Sequence, residues 1–113
     1  MLTHTQLEEK IMEYSHATLD YPFGEGTAVY KIGNKDVGNG KMFALIDEKS
    51  SPVRLSLKCA PELAEVLREK YETVLPGYHL NKKHWNTIIC SWQLSDNEIF
   101  DLIRHSYELV AGD

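Results

Sequence analysis

The stretch VRLSLKCAPELAEVL, residues 53–67, carries two different periods one after the other. Val53, Leu55 and Leu57 alternate with Arg54, Ser56 and Lys58. A period of two with one apolar and one polar face is the signature of a half-buried strand, here with a wet, basic side. Pro61 then stands where a first-turn proline is tolerated, and Glu62 and Glu65 suit the positive end of a helix. Leu63, Val66 and Leu67 form the apolar stripe of that helix, which is predicted to run to about Tyr71. A strand feeding directly into a helix sets the scale for the rest of the chain.

Upstream, two further apolar runs read as strands, residues 27–32 and 41–46. The glycine-rich segment 33–40 and the polar turn 47–52 join them and the 53–58 strand as an antiparallel meander. The chain opens on a helix, because Thr3-x-x-Gln6 and Thr5-x-x-Glu8 both fit a capping box. Leu7, Ile11 and Tyr14 share one face of it, and His16 falls near its end. Pro22 and Gly24 mark a loop after it. Downstream, Thr73–Leu75 reads as a short partner strand and residues 86–92 as another strand. Ser95-x-x-Glu98 caps a final helix whose inner face is Ile99, Leu102, Ile103, Ser106 and Val110; it carries His105 and ends at Gly112. The predicted order is α-β(3)-α-β(2)-α. That is an α+β two-layer sandwich, an antiparallel sheet with helices on one face.

A chain of 113 residues makes one domain, 1–113, large enough to fold without staples. Cys59 and Cys90 form neither a CxxC pair nor a zinc spacing, and read as small, partly buried residues in a reducing compartment. The N-terminus lacks a basic start followed by an apolar run, and no segment is apolar enough to span a bilayer, so a cytoplasmic protein is expected. The formal charge of −5 argues against general affinity for nucleic acid or membranes, but its distribution is uneven. Residues 26–60 hold six Lys/Arg against three acids, and residues 76–92 hold two against none. A basic face can therefore sit on an acidic protein.

The segment PGYHLNKKHWNT, residues 76–87, concentrates donors and rings. Lys82 and Lys83 offer charge, Asn81 and Asn86 hydrogen bonds, Tyr78 and Trp85 ring faces on which a base can stack. A purely architectural role reads equally well. Pro76-Gly77 makes a turn, Tyr78 and Trp85 bury their rings, and the asparagines bond local backbone. His79 and His84 stand five apart with no Cys or carboxylate in a recognised ligand pattern, so no metal is assigned to them. No nucleophile–base pair or paired carboxylates can be assembled from the sequence, and segment 33–40 lacks the phosphate-loop patterns. Neither an enzyme nor a cofactor is expected.

Several segments match a known family in order: Tyr21–Gly24, Lys41–Ala44, Leu57–Cys59, Pro76–Thr87 and His105–Val110. On these the whole chain resembles the MmcQ/YjbR proteins, small bacterial domains placed near CyaY-like folds. The loop at 33–40 is longer than the turn expected there. The resemblance implies the same α-β(3)-α-β(2)-α fold, and it implies DNA binding only as a prediction attached to the family. The first expectation is thus a non-enzymatic DNA-binding protein using Arg54 and Lys58, with Lys31 a further candidate, together with Tyr78, His79, Asn81, Lys82, Lys83, His84, Trp85 and Asn86. With so few cations its affinity for DNA would be weak and salt-dependent. The second is a protein- or small-ligand-binding module in which the same motif lines a pocket.

Overall fold

The structure is a computed structural model that describes residues 1–33 and 40–112. Its elements are α1 (His4–Ile11), β1 (Ala17–Asp20), β2 (Thr27–Ile32), β3 (Lys41–Asp47), β4 (Arg54–Lys58), α2 (Pro61–Lys70), β5 (Val74–Pro76), β6 (Trp85–Ile89) and α3 (Asp96–Ala111). One antiparallel sheet holds all six strands in the order β1-β2-β3-β4-β6-β5. The α+β two-layer arrangement is therefore as the sequence predicts.

One strand is added to the predicted order. β1 lies where the helix and loop were expected, because α1 ends at Ile11 and the chain reverses through His16 at φ 64°. His16 is consequently off the helix. The turn is closed by the Ala17 N–H donating to the Tyr14 carbonyl at 3.3 Å, and Ala17–Asp20 then pairs with β2 as an edge strand whose ladder the Gly33 N–H extends onto the His16 carbonyl. A four-residue edge strand carrying only Ala17 and Leu19 as apolar residues leaves little periodic signal. Tyr14 still reaches the core: its ring stacks on Tyr107 at 4.6 Å between centroids. β6 is also shorter than the 86–92 run, which leaves Trp92 82% exposed. The long loop at 33–40 falls, apart from Gly33 and Gly40, outside the described residues.

The register in β4 divides the sheet into two faces. Leu55 and Leu57 stand opposite Ile46 and Ala44 on one side and Ile88 and Asn86 on the other. With Tyr30, Val74, Leu7, Ile11, Ile99, Ile103 and Val110 they form the main core, under the helices. α3 lies across β2, β3 and β4, and α2 packs against β5. Tyr30 is fully buried there and its hydroxyl donates to Glu8 Oε2 at 2.5 Å. Burial first, and then that carboxylate, push its pKa well above the usual range, so the hydroxyl stays a donor. Among the described residues, no helix is long and apolar enough to cross a membrane.

Both cysteines are free and buried. Burial raises the Cys59 thiol and, with Asp96 nearby, pushes Cys90 up to about 12. Since the thiolate is the reactive form, a thiol reagent at pH 8 should label Cys90 roughly a thousandfold more slowly in the native protein than in denaturant. Fast native labelling, read by mass spectrometry, would contradict this burial.

Candidate functional site

The helix-free face of the sheet carries Thr27, Leu45, Asp47, Arg54, Ser56 and Thr87, set there by the alternation of β2, β3, β4 and β6. Two loops rise over it, one holding Phe23, Glu25 and Gly26 and the other Tyr78, His79 and Leu80. Between them lies a cleft of about 420 Å³, within the range of small-molecule sites. Its rim is aromatic: Phe23 is 65% exposed and Tyr78 70% exposed. Arg54 and Lys49 bring positive charge to its lining, Glu25 and Asp47 negative charge. Its floor includes two hydroxyls, those of Ser56 and Thr87, which share a hydrogen bond at 2.8 Å.

Each loop has a local cause. Gly26 sits at φ 94°, a backbone conformation that side-chain-bearing residues rarely adopt, and the Lys49 stem lies against it. The Glu48 N–H then ties this loop to the β3–β4 turn through the Gly26 carbonyl at 2.8 Å. In the second loop a Cβ on Gly77 would stand 2.7 Å from Trp85 Cβ and 3.1 Å from its carbonyl oxygen. The Gly77 N–H donates to that carbonyl at 2.9 Å, and the Tyr78 N–H donates to Thr87 Oγ1 at 3.0 Å. His79 adopts φ 56°, a left-handed turn that brings its ring within 4.0 Å of the Tyr78 ring, centroid to centroid.

The residues of PGYHLNKKHWNT thus divide. Tyr78 and His79 line the cleft with Arg54. Trp85 is buried beneath it against Val29 and Leu45, with Leu80 packed alongside. Asn86 points to the opposite side, where its amide donates to the Ala64 carbonyl in α2 at 3.3 Å. Lys82 Nζ donates back to the Gly77 carbonyl at 2.9 Å, and the Lys82 carbonyl accepts from Arg68 at 2.7 Å. Asn81 accepts from the Lys83 N–H at 2.9 Å and so closes a turn. The half-buried His84 contributes its backbone, accepting from Cys59 N–H at 2.8 Å. Lys83 is exposed, and Lys58 pairs in register with Trp85 at the far end of β4. Lys31 stands opposite Met42 in β2.

Sequence reasoning did not single out Phe23, Glu25, Lys49, Ser56 or Thr87. Phe23 had a signal, an aromatic between proline and glycine in a loop, where burial gives it no reason to be. It also missed His4 and Glu8, four apart on α1, which meet Glu48. Among the described residues these three form the one grouping of His, Cys, Asp or Glu with metal-ligand proximity, and it includes neither His79 nor His84.

Relatives agree with this architecture. A protein-family model described as YjbR matches residues 12–109. The uncharacterised protein YjbR of Escherichia coli K12 is 42% identical over 71 residues, covering 63% of this chain and 60% of that protein. YbdF of Escherichia coli O157:H7 is 33% identical over 108 residues, 96% of this chain and 84% of that one, and is likewise uncharacterised. The crystal structure of Deinococcus radiodurans protein DR2400, with the family-model domain DUF419, superposes with a TM-score of 0.92 at 38% identity. That match covers 98% of this chain and 80% of the other. With a family match over most of its length and relatives sharing its fold, this chain belongs to the YjbR family.

Proposed function

We propose that this protein is a non-enzymatic, cytoplasmic binding domain whose cleft takes a small ligand bearing a flat ring and an acceptor or anionic group. The observation that carries the reading is the placement of Phe23 and Tyr78. Two large, mostly exposed rings stand on the rim of one concavity, over a floor with Arg54 and a Ser56–Thr87 hydroxyl pair. Exposed rings cost solvation unless something covers them, and a ring stacked there leaves its polar group facing the arginine and the hydroxyls.

A second reading, weak and salt-dependent binding of single-stranded DNA, draws on the same residues. An unstacked base would lie against Tyr78 or Phe23, and Arg54 and Lys49 would meet phosphate. Two features favour the small ligand. Glu25 and Asp47 offset the cleft's two cations and leave room for one anionic or acceptor group rather than a run of phosphates, and the Lys82 amine is turned inward onto Gly77.

An NMR titration of the labelled protein separates the two. The probes are a set of small aromatic carboxylates and phosphates, AMP among them, and a ten-nucleotide dT strand at low and moderate salt. Shifts at Arg54, Ser56, Tyr78 and Thr87 with a small probe and none with the oligonucleotide support the first reading. Shifts with the oligonucleotide alone that fade as salt rises support the second. Perturbations confined to other surfaces would sink both.

A further inference from the structure

Apart from the cleft, one cluster brings ligating atoms from separate elements together. His4 and Glu8 lie one turn apart on α1, and Glu48 comes from the turn after β3. His4 Nε2 stands 3.3 Å from Glu8 Oε2 and 2.7 Å from Glu48 Oε2, and the three ligand atoms fall within 4.8 Å of one another. The imidazole nitrogen is shut off from solvent yet makes no hydrogen bond, so its close approach to the two carboxylates is not along an N–H direction. Two carboxylates converging on one nitrogen is an arrangement that repels itself without a positive centre. In ion pairs among the described residues, His4 is the one basic partner of either acid.

Each carboxylate also accepts a tyrosine hydroxyl, on the same oxygen that faces His4. The Tyr30 hydroxyl donates to Glu8 Oε2 at 2.5 Å and the Tyr21 hydroxyl to Glu48 Oε2 at 3.1 Å. Hydrogen bonds to a ligand from a second layer of residues orient it before a metal arrives. We propose that His4, Glu8 and Glu48 form a site for one first-row divalent cation, of the zinc, cobalt or manganese class. Bonds of about 2.0–2.2 Å to one nitrogen and two carboxylate oxygens place neighbouring ligand atoms roughly 3.0–3.5 Å apart. The His4–Glu8 separation already fits, and Glu48, now 2.7 Å from His4, has to draw back to admit the ion. Three protein ligands leave coordination positions for water. The ion ties the start of α1 to the turn that separates Asp47 and Lys49, two residues of the cleft wall.

The test uses the untagged chain, titrated calorimetrically with ZnCl₂ and followed with Co²⁺ by visible absorption. One ion per chain is expected, with a dissociation constant of about 10 μM or tighter and a Co²⁺ d–d band. Glu48→Gln, in a turn where the side chain is half-buried and still able to accept from Tyr21, should weaken binding about 10–100-fold, as ligand losses do. Glu8→Gln should do the same, with circular dichroism confirming that each variant folds. Absence of binding up to about 1 mM, or binding that folded Glu48→Gln and His4→Ala variants both retain, overturns the site and leaves the cluster an ion pair.

Discussion

Replacement of Trp85 by alanine is expected to lower the stability of the protein by about 3–5 kcal/mol, the usual cost of emptying a large aromatic from a packed site. Trp85 is 8% exposed and forms the apolar layer between the sheet and the 77–84 loop, with Val29, Leu45, Met42 and Leu80 around it. Its backbone carbonyl also holds Gly77, so the void would open directly beneath the loop that presents Tyr78. Chemical denaturation of the variant measures the loss. Tyr78→Ala, by contrast, removes an exposed ring and should change stability by less than about 0.5 kcal/mol. Similar losses for the two would mean that the motif does not divide into a buried prop and a presented ring.

Ser106→Ala should cost about 2–4 kcal/mol, because one hydroxyl serves two buried backbone groups whose loss costs about 1–3 kcal/mol apiece. The β3–β4 register runs from Asp47↔Arg54 to Ala44↔Leu57 and stops before Phe43 and Lys58. At that point Ser106 Oγ, fully buried on α3, accepts from the Lys58 N–H at 3.0 Å and donates to the Phe43 carbonyl at 2.5 Å. The side chain thus fills in for a missing ladder bond while joining helix to sheet. Its neighbour His105 accepts the Ala60 N–H at 3.2 Å, at the start of α2. Denaturation midpoints for Ser106→Ala and Ser106→Val decide the point. A loss under about 0.5 kcal/mol in both would show that the two backbone groups find other partners.

How much of this could be read in the sequence depends on how locally each feature is encoded. The 53–58 alternation and the Thr3 and Ser95 capping boxes are short-range signals, and the structure forms all three. β1 has no such signal: four residues become a strand only because β2 offers an edge. Ser106 could be placed on the inner face of its helix, but not its partners, 48 and 63 residues away. The cleft is legible only in part for the same reason. Arg54, Tyr78 and His79 are candidates by type, whereas Thr87 joins them through the pairing of β6 with β4 and Phe23 through the loop between β1 and β2. The motif's other residues carry suitable chemistry that the fold spends on its own turns, as the inward amine of Lys82 shows.

A binding comparison between the protein and its Phe23→Ala/Tyr78→Ala double variant tests the aromatic rim as a ligand site. Both would be titrated with the same set of small aromatic carboxylates and phosphates. The variant is expected to keep its fold, with stability within about 1 kcal/mol of the parent for two exposed positions, and to lose binding at least tenfold. A folded variant that binds those probes as tightly as the parent would contradict it.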